Sequence, residues 1–442
     1  MKKLLLSIVS LLSVNIVYSQ FWATQNTAFA TATRGISGLE VYDANTVWAF
    51  AYDGSGAGAN VQEFTKTSNG GSTWTSGTIN VGDPALKITN VSGVSATTAW
   101  AGAFDETNGL GGIWKTTDGG TTWNSQLQLT TTGESWTNFV HFFDANNGII
   151  GGDPENGEFE VYTTTNGGTT WTRVPAASIP NPLSAEYGYN GGYSAVGDNI
   201  FFTTGKGRIF KSTDKGLTWS VLATSSIISD FGGATTNGDI TWSDASKGMI
   251  MKKTYSGTDL TAMAIYITLD GGATWSNISY TGITITDAVN DISYVPGTTI
   301  LVATSSSGGS WKSVDNGTTW TALDSGVQHL NVRCSDANTC YSGNFNTSST
   351  VGGMFKSTVS LGTRENSLEV NSITIYPNPV VDYVTIKSKD KVLSVSVYDI
   401  SGRLMNVKNE NNLLNVKNIE AGNYVINIVT SNGSVSQKFI KK

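Results

Sequence analysis

Apolar residues recur along this chain in short runs, with polar residues in the alternate places and Gly, Asn or Asp at the breaks. A period of two is that of strands with one covered face, and such breaks are those of tight turns. The first complete stretch reads as a strand from Gly38 to Tyr42, a turn at Asp43-Ala-Asn-Thr46, strands from Val47 to Ala51 and Glu63 to Thr67, a second turn, and a strand from Thr73 to Ile79. Past residue 370 the alternation returns in Tyr383 to Lys387, Val392 to Tyr398, Leu413 to Val416, Asn423 to Val429 and Val435 to Ile440. Composition points the same way: Gly makes 50 of 442 residues and charged residues only 14%, the balance of short strands joined by turns. An all-β chain is expected.

The start of the chain departs from this pattern. Lys2 and Lys3 precede an apolar run from Leu4 to Val17 and then Tyr18-Ser19-Gln20, which reads as a signal peptide over residues 1–19, cut after Ser19. A membrane-spanning helix needs about 20 apolar residues, whereas this run has roughly 14 with Ser and Asn inside it. No later stretch is long and apolar enough, so no transmembrane segment is expected in the mature chain.

One phrase recurs six times. It reads Thr67-Ser-Asn-Gly-Gly-Ser-Thr-Trp74, Thr116-Thr-Asp-Gly-Gly-Thr-Thr-Trp123, Thr164-Thr-Asn-Gly-Gly-Thr-Thr-Trp171, Ser212-Thr-Asp-Lys-Gly-Leu-Thr-Trp219, Thr268-Leu-Asp-Gly-Gly-Ala-Thr-Trp275 and Ser313-Val-Asp-Asn-Gly-Thr-Thr-Trp320. Its tryptophans lie 49, 48, 48, 56 and 45 residues apart, a spacing that fits one four-stranded blade per repeat. The acid or amide (Asn69, Asp118, Asn166, Asp214, Asp270, Asp315) can bond to backbone N–H groups two residues on, and the following Gly accepts positive φ. The indole is an apolar plate to pack within or between blades. A seventh, worn copy stands at Ser357-Thr-Val-Ser-Leu-Gly-Thr363, with Val359 in the acid's place and Arg364 in the tryptophan's. Phe21-Trp22-Ala-Thr resembles the strand after each phrase but has no phrase before it. The economical reading is that this N-terminal strand completes the last blade and closes the ring; six blades and a stray hairpin are the alternative.

The phrase is similar to the Asp-box, or BNR repeat, of the propellers of sialidases, sortilin-type receptors, xyloglucanases and photosystem II assembly factors. That resemblance implies a seven-bladed β-propeller, here over residues 20–358, and says little about function. Residues 359–370 read as a linker, and 371–442 as a small Ig-like β-sandwich. In this last part Tyr376-Pro-Asn-Pro379, Val397-Tyr-Asp-Ile-Ser-Gly-Arg403, Ala421-Gly-Asn-Tyr-Val425 and the basic end from Lys438 to Lys442 resemble the C-terminal sorting domain of type IX secretion cargo from Bacteroidetes. The resemblance implies partnership with the type IX machinery and a product secreted or held at the outer-membrane surface.

Charge narrows the partners further. Residues 21 to 367 hold 16 Lys and Arg against 28 Asp and Glu, while residues 368 to 442 hold 9 against 6. An acidic body repels phosphate backbones, so no nucleic acid is expected. Cys334 and Cys340 flank Ser335-Asp-Ala-Asn-Thr339, which matches the turns at Asp43 and Asp144. They face each other across a hairpin, and in an exported protein a disulfide that braces the worn blade is expected. Two cysteines with His141 and His329 are too few for a metal cluster or a triad. No metal or other cofactor is expected, and the ring is expected to be monomeric.

Alternating strand directions put the Asp43 turn and the Asp-box turn on one face of the ring. The other face takes the insertions from Asp53 to Val61, Asp105 to Gly112, Asp153 to Glu158 and Thr254 to Thr261 and the interblade segment from Pro175 to Gly192. Candidate ligand residues on that face are Asp105, Glu106, Asp153, Glu155 and Glu186, with the aromatic set Tyr187, Tyr189 and Tyr193 suited to sugar rings or a protein partner. Glu158 adds a sixth carboxyl. Sialidase chemistry would need three convergent arginines and a Tyr–Glu pair, and Arg34, Arg173, Arg208, Arg333 and Arg364 sit at different phases of the repeat. No residue is assigned as catalytic. The expected function is a non-enzymatic, secreted or cell-surface propeller that binds a glycan or protein through its long-loop face. An extracellular glycoside hydrolase, sialidase-like or xyloglucanase-like, and a structural surface component are the alternatives.

Overall fold

The computed structural model describes residues 20–107, 110–129, 136–222, 224–362, 374–388, 391–399, 403–430 and 433–442. The chain divides into two compact units, Met1–Gly362 and Thr363–Lys442. The leader expected at residues 1–19 and residues 363–370 of the expected linker lie outside the described residues.

The first unit is a seven-bladed propeller. Five blades are separate four-stranded antiparallel sheets in sequence order, and the first and last share one backbone pairing, Gly35 with Phe345. The innermost strands are Arg34–Val41, Lys87–Gly93, Thr137–Phe142, Gly188–Val196, Thr236–Trp242, Val289–Tyr294 and Asn331–Asp336. Because each sheet presents apolar side chains to both neighbours, the core is divided into seven wedges, one between each pair of adjacent blades. Trp48, Phe64 and Trp123 fill the wedge between blades 1 and 2. Stacked pairs lock two others, Trp100 on Phe142 at 3.4 Å and Phe201 on Trp242 at 3.7 Å. Burial of each such ring contributes roughly 1.5–3 kcal/mol.

The Asp-box closes differently from the expected two-residue bond. In blade 2 Thr116 Oγ1 donates to Asp118 Oδ1 at 2.9 Å and accepts from Gly120 N at 2.8 Å, while Asp118 Oδ1 accepts from Thr122 N at 2.9 Å, four residues on. The acid therefore spans the whole turn, and these bonds hold the Asp118 carboxyl down at about 2, led by the Thr122 hydroxyl. Bonds to N–H groups two and three residues on occur instead in the other turn, from Asn45 and Thr46 to Asp43. A second repeated device joins blade to blade. Lys66, Lys115, Lys211, Lys312 and Lys356, each one residue before a box Thr or Ser, reach backbone carbonyls of the next blade.

Closure uses both ends of the ring. Trp22–Asn26 pairs antiparallel with Val351–Ser357, from Trp22 opposite Ser357 to Asn26 opposite Gly353, and so supplies the fourth strand of blade 7. Leu361, expected in the linker, is instead fully buried in the wedge with Phe21 and Trp22, and its N–H bonds Ala337 O at 2.7 Å. Cys334 and Cys340 are joined by a disulfide across the turn of this blade, with Cα atoms 4.1 Å apart.

The second unit is a β-sandwich. One sheet is formed by Thr374–Tyr376, Tyr383–Lys387, Leu413–Asn415 and Lys408–Glu410, the other by Leu404–Met405, Val392–Asp399, Gly422–Thr430 and Gly433–Lys441. Val384, Ile386, Val397, Leu414, Ile426 and Phe439 meet between them.

Candidate functional site

Two of the insertions on the long-loop face are raised hairpins rather than loops. Strands Gly148–Glu155 and Glu158–Thr164 continue to a two-residue turn, Asn156-Gly157, with φ of 54° and 83°. Positive φ at both turn residues matches the twist of the flanking strands, so pairing extends up to Glu155 opposite Glu158. Likewise Gly248–Ser256 and Asp259–Thr268 pair up to Ser256 opposite Asp259.

Most of the candidate carboxyls are committed to the protein. Asp105 Oδ1 accepts from Thr107 N at 2.7 Å and caps its own loop. Asp153 Oδ1 accepts from Asn138 Nδ2 at 2.7 Å and Gly188 N at 2.8 Å, which ties blade 3 to blade 4. Glu186 is turned inward: Arg208 binds both its oxygens, Thr204 donates to Oε1 at 2.6 Å, and Leu183 N donates to Oε2 at 2.7 Å. Its acceptor capacity is spent on shaping the interblade segment, so it offers nothing to a ligand. Glu106 stays exposed and pairs with Lys87 at 2.5 Å.

Glu155 is buried beside Glu160, which sequence reading passed over. Burial, aided by Glu155, pushes the Glu160 carboxyl up to about 7. Tyr162 donates to Glu160 Oε1 at 3.1 Å, and Arg173 lies 3.8 Å from Glu158. Two carboxyls and a tyrosine are the ingredients of glycosidic bond cleavage, but Glu160 keeps only 2% of its surface exposed. The arginines do not converge: Arg34 pairs with Glu63, Arg173 with Glu158, Arg208 with Glu186 and Arg333 with Asp291, and Arg364 lies outside the described residues. His329 sits between Asp324, 2.9 Å from Nε2, and Ser342, 2.8 Å from Nδ1. That order resembles a hydrolytic triad, yet His329 and Ser342 are fully buried. Ser310 links Asp324 to Trp22 of the closing strand, so the network braces the seam.

The three tyrosines part company. Tyr187 is 43% exposed, and its ring meets Tyr189 edge-on at 5.4 Å. Tyr189 donates to Asp230, and burial together with that carboxylate holds its hydroxyl well above the usual phenol range. Tyr193 lies elsewhere, in a cavity of about 690 Å³ lined by all seven innermost strands. Lys87, Glu106 and Asn190 stand at its loop-face mouth, and Tyr42, Gly197, Pro296 and Ser335 of the short turns at its other end. This is the axial channel. Tyr193 stacks on Phe139 at 4.9 Å and its hydroxyl accepts from Asn90 at 3.2 Å. Glu40, His141 and Arg333, none of them candidates from sequence, also line it. The only signal in the sequence was a charged residue at an alternating position of an innermost strand.

Residues 374–442 match the family model described as the secretion system C-terminal sorting domain. The tail is a type IX sorting domain. It directs export of the propeller to the cell surface or the extracellular space, and among the described residues no helix is long and apolar enough to cross a membrane. No curated protein matches the chain. Among solved structures, the ring ahead of the sorting domain is similar to YCF48 bound to D1 peptide, at 13% identity over 78% of this chain and 98% of that one, with a TM-score of 0.52. It is similar also to YCF48 from Cyanidioschyzon merolae, at 14% identity over 76% of this chain and 99% of that one, TM-score 0.51. A GH74 xyloglucanase from Xanthomonas campestris aligns at 11% identity over 92% of this chain and 59% of that one, TM-score 0.49. At 13 and 14% identity the likeness to the two YCF48 structures is one of fold.

Proposed function

We propose that this type IX cargo is a non-enzymatic binding propeller that holds an extracellular glycan or protein on its long-loop face. The observation that carries the reading is the pair Tyr187 and Tyr189, fixed edge to face beside Asp230 and backed by Gly205 and Gly232, where any side chain would strike the rings. A rigid aromatic surface next to hydrogen-bonding groups suits a sugar face or a protein side chain and loses little entropy on binding. Leu110, Leu183, Ile285 and Val351 are further exposed apolar residues in the connections of this face. The commitment of Asp105, Asp153 and Glu186 to internal bonds argues against hydrolysis.

The test is a binding screen of the purified protein against extracellular polysaccharides and surface proteins, scoring retention and reducing-sugar release together. Retention without release is expected, and Tyr187→Ala should weaken it roughly three- to tenfold with an unchanged melting temperature. The pair Glu155 and Glu160 supports the rival reading, a glycoside hydrolase. Sugar release that disappears in Glu160→Gln would establish that rival instead.

A further inference from the structure

The channel carries a set of polar groups with unused bonding capacity that the loop-face reading does not employ. Glu40, His141 and Arg333 occupy equivalent places in blades 1, 3 and 7, opposite Trp48, Ile149 and Tyr341 of the neighbouring strand. At the same level the short residues Ser92 and Thr241 face sideways and accept from Phe142 N and Tyr294 N of the next blade, at 2.9 and 2.8 Å. The short side chains thus hold the blades together, and the long ones are left to project into the opening.

Arg333 is anchored by one corner only. Its Nη1 donates to Asp291 Oδ2 at 2.7 Å and to Val332 O at 2.6 Å, and 44% of its side chain remains open to the channel. Asp291 is in turn held by Val332 N at 2.8 Å. Among the described residues, Nε and Nη2 of Arg333 and the carboxyl of Glu40 make no hydrogen bond, and the two groups form no direct ion pair. The half-buried His141 ring makes no hydrogen bond among the described residues; its Nδ1 is enclosed, which leaves Nε2 for the channel. Tyr193 feels the charges of both Glu40 and Arg333, and its hydroxyl hydrogen is free because Asn90 donates to the oxygen. The partly buried Leu39, Ile88 and Ile240 supply apolar wall.

A free guanidinium edge suits a carboxylate, which it grips in bidentate fashion. A free carboxyl at the same level of the adjoining blade suits an ammonium. We infer that the axial channel is a binding site for a free α-amino acid, whose carboxylate meets Arg333 and whose ammonium meets Glu40, with its side chain against the apolar wall. Only a single amino acid carries both charges on one carbon; a peptide separates them. Tyr193 donates to the carboxylate beside Arg333, and neutral His141 accepts from the ammonium.

The site has a pH signature. Burial pushes Glu40 up to about 7, against the pull of Arg333. The groups that face it are Arg333, held charged by Asp291 against burial, Tyr193, raised by burial, and His141, which burial lowers to about 4 and which stays neutral near pH 7. Glu40 must lose its proton to hold an ammonium, so affinity falls as pH drops from 8 to 6, by up to about tenfold per unit below 7.

The test is calorimetric titration of the intact protein with the free amino acids, their N-acetyl and amide forms, dipeptides and glucuronate. Apolar amino acids are expected to bind, and blocking either end is expected to weaken them by roughly tenfold or more. Glu40→Gln, which breaks no bond within the fold, should cost a similar factor and erase the pH dependence between 6 and 8. Arg333→Lys, which keeps the charge beside Asp291, and Tyr193→Phe serve as second variants and should also weaken binding. No heat from any amino acid, equal binding of the blocked forms, preference for glucuronate or dipeptides, or indifference to Glu40→Gln would each overturn the inference. The loop-face reading is untouched by these outcomes, since it rests on polymer binding and Tyr187.

Discussion

Blade 2 and blade 7 have the same four strands, yet different things hold them. Blade 2 is continuous in sequence, with an intact box in which Thr116 and Asp118 tie the turn and Trp123 reaches the wedge shared with blade 1. Blade 7 has lost the acid to Val359, and its fourth strand comes from the other end of the chain. Its substitutes are a disulfide across the inner turn, the chain of bonds from Trp22 through Ser310 and Asp324 to His329 and Ser342, and burial of Leu361. The contrast teaches that the box is a local solution to closing a hairpin. Where a hairpin is opened to receive a strand from elsewhere, the same stability is gathered from groups distant in sequence.

The sharpest way to break this comparison is to remove residues 20–26. Blade 7 would lose a strand and the wedge filled by Phe21 and Trp22 would open, so cooperative unfolding of the ring should be lost, or displaced far below the parent's melting temperature, in a thermal scan. A ring that melts as before would show that the seam is dispensable. Replacing Cys334 and Cys340 together by Ser should cost roughly 2–3 kcal/mol, from the entropy of the short loop they close, read as a shifted denaturant midpoint. In blade 2, Thr116→Val keeps the shape but strips the buried Gly120 N–H of its acceptor, on the order of 1–2 kcal/mol by the same measurement. Restoring the acid with Val359→Asp removes an apolar contact with the closing wedge and should lower stability by about 1 kcal/mol. A gain there would mean that blade 7 still folds as a box.

Blade number and closure were legible because both rest on local phrases: six boxes in phase, and Phe21-Trp22-Ala-Thr as a strand without its box. The disulfide site was legible because Cys334 and Cys340 flank a turn of known form. The raised hairpin was not, although Asn156-Gly157 is a turn signal, because the polar run from Asp153 to Glu158 reads equally as loop. Glu186 reads as a free loop carboxyl because its partner Arg208 lies 22 residues away. The channel level was hidden more deeply still. Glu40 and Arg333 lie nearly 300 residues apart in sequence, and nothing short of closing the ring brings blades 1 and 7 side by side.

The closing strand also imposes an order of events. A chain made from its amino end must carry Trp22–Asn26 without a mate through six whole blades, since Val351–Ser357 is the last part of the propeller to arrive. Any product interrupted earlier keeps two naked backbone edges, the form of sheet most open to proteolysis and aggregation. The joint therefore works as a check for completeness of the ring, passed only once Val351–Ser357 has been made.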